Sequence, residues 1–168
     1  LELPRRARRK VLHVKSNVTS RPTSKTIFWP QAVMRNLGML HVDRSVTRLV
    51  YFLDDDNVMH SRFFEVLPFV DRNRAALYTF DGCNRWETGA HVAPGQIDIS
   101  QFAVHVDILG SVPWNPHVIA EDGEFAQALV RLHPGSHVYL PKKMACYNAI
   151  RNTICCSGWS LEASRHRV

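Results

Sequence analysis

LVYFLDDDNVMHSRFFEVL, residues 49–67, is the stretch of the chain that decides the fold. Its first five residues are apolar, rich in β-branched and aromatic types, and do not alternate with polar residues. A short run of this kind is typical of a strand that is buried on both faces, as in a parallel sheet covered by helices. We therefore predict an α/β fold in which residues 49–53 form an inner strand.

This strand ends in three carboxylates and an amide, Asp54, Asp55, Asp56 and Asn57. Three adjacent carboxylates cannot be buried together unpaired, because repulsion and desolvation would cost too much. A crevice that holds a divalent cation resolves the conflict, since open α/β sheets bind ligands at the carboxyl ends of their strands. Hard oxygen ligands suit Mg²⁺ or Mn²⁺, with phosphate oxygens completing the shell. The alternative is an acidic turn exposed between a strand and a helix.

Two other kinds of acidic site share features with this loop. An EF-hand is excluded, because Met59 occupies the sixth position, where the calcium loop needs glycine. Phosphatases with an aspartyl nucleophile use an Asp-x-Asp-x-Val pattern, which Asp54, Asp56 and Val58 satisfy. That reading stays as a minor alternative.

The 168 residues carry a net charge of +6, much of it from one basic run near the start, at residues 5–10. Without interleaved aromatic residues, such a run is more typical of a solvated leader than of a nucleic-acid contact, so we predict a flexible leader at residues 1–10 and no nucleic-acid partner. No segment has the length of a transmembrane helix or the core of a signal peptide. A soluble chain is expected, either cytoplasmic or, as a fragment of a longer lumenal protein, lumenal.

The cysteines are Cys83, Cys146, Cys155 and Cys156. They form no Cys-x-x-Cys pair, and the two adjacent ones are poorly suited to bridging each other. Ordinary buried or free thiols are therefore predicted.

The remaining pattern adds a strand at residues 11–14 and a helix at residues 29–40, which carries Arg35 and Asn36. Together with the acidic strand, these two elements predict a βαβ unit with a right-handed crossover. Further strands are predicted at residues 75–80 and 138–140. A helix is predicted from Glu121 to Leu132, and a loosely ordered tail at residues 157–168.

Three polar side chains in this second half are candidates for the crevice. Asp98 and Gln101 stand in an apolar context, and they either face the crevice or form a hydrogen-bonded pair that caps a turn. Asp122 falls in the first turn of the predicted helix, where the helix dipole alone favours an acid. Stability and function therefore remain open as explanations for all three residues.

The segments taken in order resemble glycosyltransferases of the GT-A fold. The segments are Arg35-Asn36, the Asp-Asp-Asp-Asn strand end, IDISQFAV at 97–104 and EDGEF at 121–125. The closest local resemblance is to the β-1,3-glucuronosyltransferase family, whereas Tyr147-Asn148 is more similar to inverting bacterial-type transferases. The resemblance covers about residues 11–151 and implies one domain, 11–156, with a mostly parallel sheet flanked by helices.

The resemblance implies a metal-dependent enzyme that transfers a sugar from a nucleoside-diphosphate sugar, most typically a UDP-sugar, to a hydroxyl of a carbohydrate or glycoconjugate, with inversion. Its site residues would be Asp56 for the metal (Mn²⁺ or Mg²⁺), Asp54, Asp55 and Arg35 for the donor, Asp122 as catalytic base, and Asp98, Gln101 and Trp114 for the acceptor. GT-A enzymes begin with a strand, a helix and a second strand that build the base and ribose pocket, and the βαβ unit predicted here corresponds to a later part of their sheet, starting at what would be their third strand. We therefore expect a sheet truncated at its N-terminal side, with an exposed edge that favours self-association. A non-catalytic sugar or nucleotide-sugar binding module of the same fold is the main alternative.

Overall fold

The computed structural model describes residues 30–54, 57–60, 63, 74–83 and 88–146. The predicted leader, the strand at residues 11–14, the tail, and the two carboxylates Asp55 and Asp56 lie outside the described residues. The described elements follow in chain order: α1 (Pro30–Leu40), β1 (Leu49–Tyr51), β2 (Val58–Met59), β3 (Leu77–Cys83), β4 (Phe102–His105), α2 (Glu121–Leu132) and β5 (His137–Cys146). Neither described helix has the length and apolar character needed to cross a membrane.

The five strands form one mixed sheet in the order β1-β4-β3-β5-β2. Only β3 and β5 pair in parallel among the described strands, and the other three neighbouring pairs are antiparallel. The prediction of a mostly parallel sheet is therefore wrong. The physical reason lies in β4, whose four residues are all buried. An antiparallel strand covered on both faces has the same unbroken apolar sequence as a parallel one, so burial alone does not reveal direction.

Strand β1 is shorter and less buried than predicted. Leu49, Val50 and Tyr51 are half-buried, and Leu53 beyond the strand is 48% exposed. β1 lies at one end of the strand order and pairs with β4, with Val50 opposite Val104. Among the described residues, β1 has a neighbouring strand on one side only, in keeping with its partial exposure. Self-association through this edge stays a prediction.

Strand β5 extends well beyond the predicted residues 138–140. It continues through Pro141 to Cys146, because the register with β3 shifts after the pair Phe80 and Leu140 and resumes with Asp81 opposite Lys143. Such an irregularity removes Pro141, which has no N–H, from the hydrogen-bond ladder. Helix α1 begins at Pro30, where the missing N–H costs nothing.

Both described helices pack on the same face of the sheet. Side chains alternate across β3 and β4, so that Leu77 and Phe102 lie on the face covered by the helices while Tyr78 and Ala103 lie on the other. The cluster on the first face includes residues of α1, β3, β4 and α2: Ala32, Met39, Leu77, Phe102, Val104, Phe125, Ala126 and Leu129. α1 and α2 are thereby held against the same part of the sheet, next to the end of β1.

The cysteine prediction is wrong at one position. Cys146, the last residue of β5, is disulfide-bonded. Cys83 lies opposite it on β3 and is buried. The sequence spacing carried no indication of this bond, because disulfide pairing depends on the separation of residues in space.

Candidate active site

Arg35 lies at the centre of a cluster of carboxylates. It projects from α1 and is 9% exposed. Its Nη1 donates hydrogen bonds to Asp122 at 2.7 Å and to Glu121 at 3.3 Å, while its Nη2 donates to both oxygens of Asp54 at 2.9 and 3.1 Å. One guanidinium therefore joins α1, the chain just after β1, and the start of α2. We call these four side chains the carboxylate cluster.

An aromatic group supports the guanidinium. The Arg35 Cζ lies 4.7 Å from the centroid of the Trp114 ring, and Phe125 of α2 stacks on the same indole at 4.0 Å and 9°. The Asn36 side chain fixes the backbone of Trp114, since it donates to the carbonyl oxygen at 2.9 Å and accepts from the N–H at 2.8 Å. The Arg-Asn pair on α1 thus binds the acidic residues with one side chain and the Trp114 loop with the other.

Asp122 does not cap its own helix. The N-cap residue of α2 is Ala120, which makes no side-chain cap hydrogen bond. Asp122 instead accepts from Arg35 with Oδ1 and from the Ile99 N–H with Oδ2, the latter at 3.3 Å. Ala120 has a φ of 64°, a left-handed conformation that costs an alanine roughly 1–2 kcal/mol. This strained turn orients the start of α2 so that Asp122 meets Arg35.

A glycine allows the start of α2 to approach the preceding loop. A Cβ at Gly123 would lie 2.2 Å from the carbonyl oxygen of Ala93, which is closer than atoms can come without a backbone shift. Any larger residue at this position would push the helix start, and Asp122 with it, away from its present place. The glycine of the EDGEF segment is therefore explained by close packing.

The carboxylate cluster holds more acidic than basic groups, with one guanidinium facing three carboxyl groups. Burial raises the pKa of Asp122 to about 7, opposed by Arg35 and reinforced by the carboxylates of Asp98, Glu121 and Asp54. Burial would lower the pKa of Arg35, but Asp122, Asp54 and Glu121 together raise it above its ordinary value. A single guanidinium thus faces several carboxylates, and near neutral pH Asp122 exchanges between its protonated and ionised forms.

Asp98 and Gln101 form the hydrogen-bonded turn that was one of the two predicted alternatives. The turn is a single 3-10 turn, Ile99–Gln101, that leads into β4. Asp98 accepts from the Ser100 N–H at 2.9 Å and from Asn57 Nδ2 at 3.1 Å, and Gln101 accepts from the Asp98 N–H at 3.0 Å. Both side chains are almost fully buried. Their predicted contact with an acceptor stays a prediction, as does that of Trp114, which is 1% exposed.

The carboxylate cluster contains oxygen atoms of the kind that divalent metals bind. Both oxygens of Asp54 accept hydrogen bonds from Arg35, so this side chain does not fit a metal ligand in the present arrangement. Among the residues that the structure describes, no three His, Cys, Asp or Glu side chains gather as a metal site would require. Carboxylate oxygens next to an excess of negative charge do fit the preference of Mg²⁺ and Mn²⁺. Metal binding by Asp56 therefore remains a prediction outside the described residues.

Two residues of the site had no role in the sequence-based predictions. Glu121 is 9% exposed and contacts Arg35, although only its neighbour Asp122 was singled out. The signal was present, because Glu121 stands in the same EDGEF segment. Asn36 was noted as part of a pair, but nothing in the sequence indicated that its partner would be the backbone of Trp114.

No protein-family model matches this chain, and no curated protein matches it in sequence. The local resemblance of its segments and the arrangement of the side chains described above are therefore the indications of its function.

Proposed function

We propose that the protein is a metal-dependent glycosyltransferase, or the catalytic part of one. It would transfer a sugar from a nucleoside-diphosphate sugar, most typically a UDP-sugar, to a hydroxyl of a carbohydrate or glycoconjugate acceptor. The observation that carries this proposal is the position of Arg35, which contacts Asp54 at the acidic strand end and Asp122 at the start of α2. Three segments that resemble glycosyltransferases, far apart in the sequence, thereby meet at one side chain.

Asp122 is the general base in this proposal. A base is most effective when its pKa lies near the working pH, and burial raises the pKa of Asp122 to about 7. Arg35 and the Ile99 N–H each hold one of its oxygens, so the carboxylate has a fixed orientation. A single base that removes the proton of the attacking hydroxyl in one in-line displacement gives inversion at the anomeric carbon.

The donor side depends on the carboxylates that follow β1. A bound Mn²⁺ or Mg²⁺ would supply charge neutralisation for the departing nucleoside diphosphate, and Asp56 would hold it. Asp54 and Asp55 would lie near the ribose or the donor sugar. The contacts of Arg35 support a positioning role, because its guanidinium fixes the side chains of both Asp54 and Asp122.

The alternatives receive less support from the same contacts. A non-catalytic sugar-binding module needs no general base, whereas the raised pKa of Asp122 favours one. An aspartyl-nucleophile phosphatase would need a carboxylate of Asp54 or Asp56 to attack phosphorus. In Asp54 both oxygens accept from Arg35, which withdraws electron density from the nucleophile. We therefore favour the transferase.

Of the two compartments considered, the disulfide of Cys146 favours the lumenal one. Disulfides persist in oxidising compartments and are rare in the cytosol. Alkylation of the protein purified from secretory and from cytosolic expression, with mass measurement before and after reduction, tests this assignment. Only the secreted material should contain the bond.

Thermal unfolding with Mn²⁺, UDP, and both together tests the proposed donor site. UDP should stabilise the protein only when the metal is present, by about 2.7 kcal/mol at a hundredfold excess over Kd. Asp56→Asn should remove this stabilisation, whereas Asp107→Asn, at an exposed position, should keep it. Equal stabilisation without metal, or in Asp56→Asn, would rule out the proposed site. Hydrolysis of a phosphomonoester by the wild-type protein would instead support the phosphatase.

A further inference from the structure

Hydrogen bonds fix both ends of the DDDN segment, residues 54–57. The Asn57 N–H donates to the carbonyl oxygen of Asp54 at 3.2 Å, a bond of the kind that closes a four-residue turn. At one end, Arg35 donates to both carboxylate oxygens of Asp54. At the other end, Asn57 is 5% exposed, and its Nδ2 donates to Oδ1 of Asp98 at 3.1 Å. Side chains from two distant parts of the sequence therefore hold this segment.

The carboxylate of Asp98 is itself held in place. Its Oδ1 also accepts from the N–H and the hydroxyl of Ser100, and the Asp98 N–H donates to the side chain of Gln101 at 3.0 Å. The Gln101 side chain in turn donates to the carbonyl oxygen of Phe80 at 3.2 Å. Phe80 belongs to β3, the middle strand of the sheet among the described strands. Asp98 thus links Asn57 to the centre of the sheet.

The burial of Asp98 favours such an internal role over contact with a ligand. Asp98 is 4% exposed, and Gln101, its partner in the turn, is 1% exposed. A sugar that binds from solvent would find little of either side chain to contact. A buried carboxylate oxygen that accepts several hydrogen bonds is instead typical of a group that fixes its neighbours.

We propose that Asp98 is a positioning residue for the donor side of the site and that it acts through Asn57. This role rests on the proposed transferase activity, in which Asp56 binds the metal and Asp54 and Asp55 lie near the donor. Asp56 directly precedes Asn57 in the sequence, and consecutive Cα atoms are about 3.8 Å apart, so an anchored Asn57 limits where Asp56 can lie. The role differs from the acceptor contact that the resemblance implies for Asp98.

Amide hydrogen exchange at Asn57, without any ligand, tests whether Asp98 anchors this residue. Asp98→Ala should speed the exchange of the Asn57 N–H about tenfold, because a lost hydrogen bond makes local opening easier. Asp98→Asn keeps an oxygen acceptor and should exchange as the wild type does. Val138→Ala is the control, since Val138 packs on the sheet face opposite the helices, and it should leave this exchange rate unchanged.

Calorimetry with Mn²⁺ and UDP tests the effect on the donor side. Affinity is measured rather than the transfer rate, because Ile99 of the same turn contacts the proposed base Asp122. Asp98→Ala and Asn57→Ala should each weaken the binding of UDP with Mn²⁺ about tenfold. The double variant should bind no more weakly than either single one, since both changes remove the same hydrogen bond. Asp98→Asn and Val138→Ala should bind as the wild type does.

The proposal is overturned if the Asn57 N–H exchanges equally fast in Asp98→Ala and in the wild type, or if the two single losses of affinity add in the double variant. An Asp98→Ala protein with a raised KM for a saccharide acceptor but normal binding of UDP with Mn²⁺ would overturn it as well. If the wild type does not bind UDP with Mn²⁺, the proposed transferase activity itself is contradicted. The exchange rate of Asn57 then decides alone whether Asp98 holds this segment.

Discussion

The Nη1 of Arg35 lies 2.7 Å from Oδ1 of Asp122, although 87 positions separate the two residues in the sequence. The contact joins α1 to the first turn of α2 across the end of β1. Burying a guanidinium among carboxylates costs desolvation energy that the ion pairs offset only when all partners are in place. The arrangement is therefore sensitive to the removal of any one partner.

Replacement of Arg35 should destabilise the protein strongly. Arg35→Met keeps much of the side-chain volume but leaves Asp54, Glu121 and Asp122 without a cation, at a cost of about 3–5 kcal/mol. Arg35→Lys keeps the positive charge but lacks the planar guanidinium, so it should lose less unfolding free energy than Arg35→Met. Urea unfolding measures both. Arg48→Met, at an exposed position, should stay within about 0.5 kcal/mol of wild type, and equal stability of all variants would show that the cluster contributes nothing.

Asn36→Ala should cost about 1–3 kcal/mol, because it removes both hydrogen bonds that hold the backbone of Trp114. Unfolding free energies in urea provide the measurement. Asn115→Ala offers a control, since the Asn115 side chain accepts one exposed hydrogen bond, from the His117 N–H. If Asn36→Ala is no more harmful than the control, Asn36 does not fix the Trp114 loop.

Asp98 should stabilise the protein by capping the 3-10 turn Ile99–Gln101. Asp98→Ala removes the acceptor for the Ser100 N–H and should cost about 0.5–2 kcal/mol, whereas Asp98→Asn retains an oxygen there and should cost less. Thermal unfolding of the two variants gives the comparison. An Asp98→Ala protein as stable as the wild type would leave acceptor binding as the better explanation for this residue.

The stability of the protein should depend on pH through Asp122. Its pKa is raised from 3.8 to about 7 in the folded state, so the folded protein binds the proton more tightly than the unfolded chain. The stability that this tighter proton binding adds is fully present below about pH 4 and is lost as the pH rises through about 7. Relative to Asp122→Asn, the wild type should lose up to about 4 kcal/mol of unfolding free energy as the pH rises from about 4 to about 7.

Urea unfolding at a series of pH values from 4 to 8 checks this dependence. Asp107→Asn provides the control, since the Asp107 side chain is largely exposed and lies outside the carboxylate cluster. Parallel curves for the wild type and Asp122→Asn would contradict the raised pKa of Asp122.

The sequence was most informative where the signal is local. The predicted helix from Glu121 to Leu132 has the observed bounds, because apolar spacing and first-turn acids are properties of neighbouring residues. The direction of β4 could not be read in the same way. Its pairing of Val104 with Val50 joins residues 54 positions apart, and the apolar pattern of a buried strand is the same in either direction.

The carboxylate cluster was predictable only in part. The acidic strand end and Asp122 were both identified as candidates for one crevice, because charged groups need a shared cation or solvent. That Arg35 would contact them was not predictable, since a contact between α1 and α2 depends on how both helices pack on the sheet. The disulfide of Cys146 was missed for the same reason.

The rate of sugar transfer by Asp122→Asn tests the central claim most directly. Glycoside formation from UDP-sugars with Mn²⁺ and a panel of saccharide acceptors would be followed for the wild type, Asp122→Asn and the control Asp107→Asn. Loss of a general base should lower the rate about 10²–10⁴-fold in Asp122→Asn, with metal-dependent stabilisation by UDP retained and Asp107→Asn unaffected. Transfer by Asp122→Asn at the wild-type rate would contradict the account.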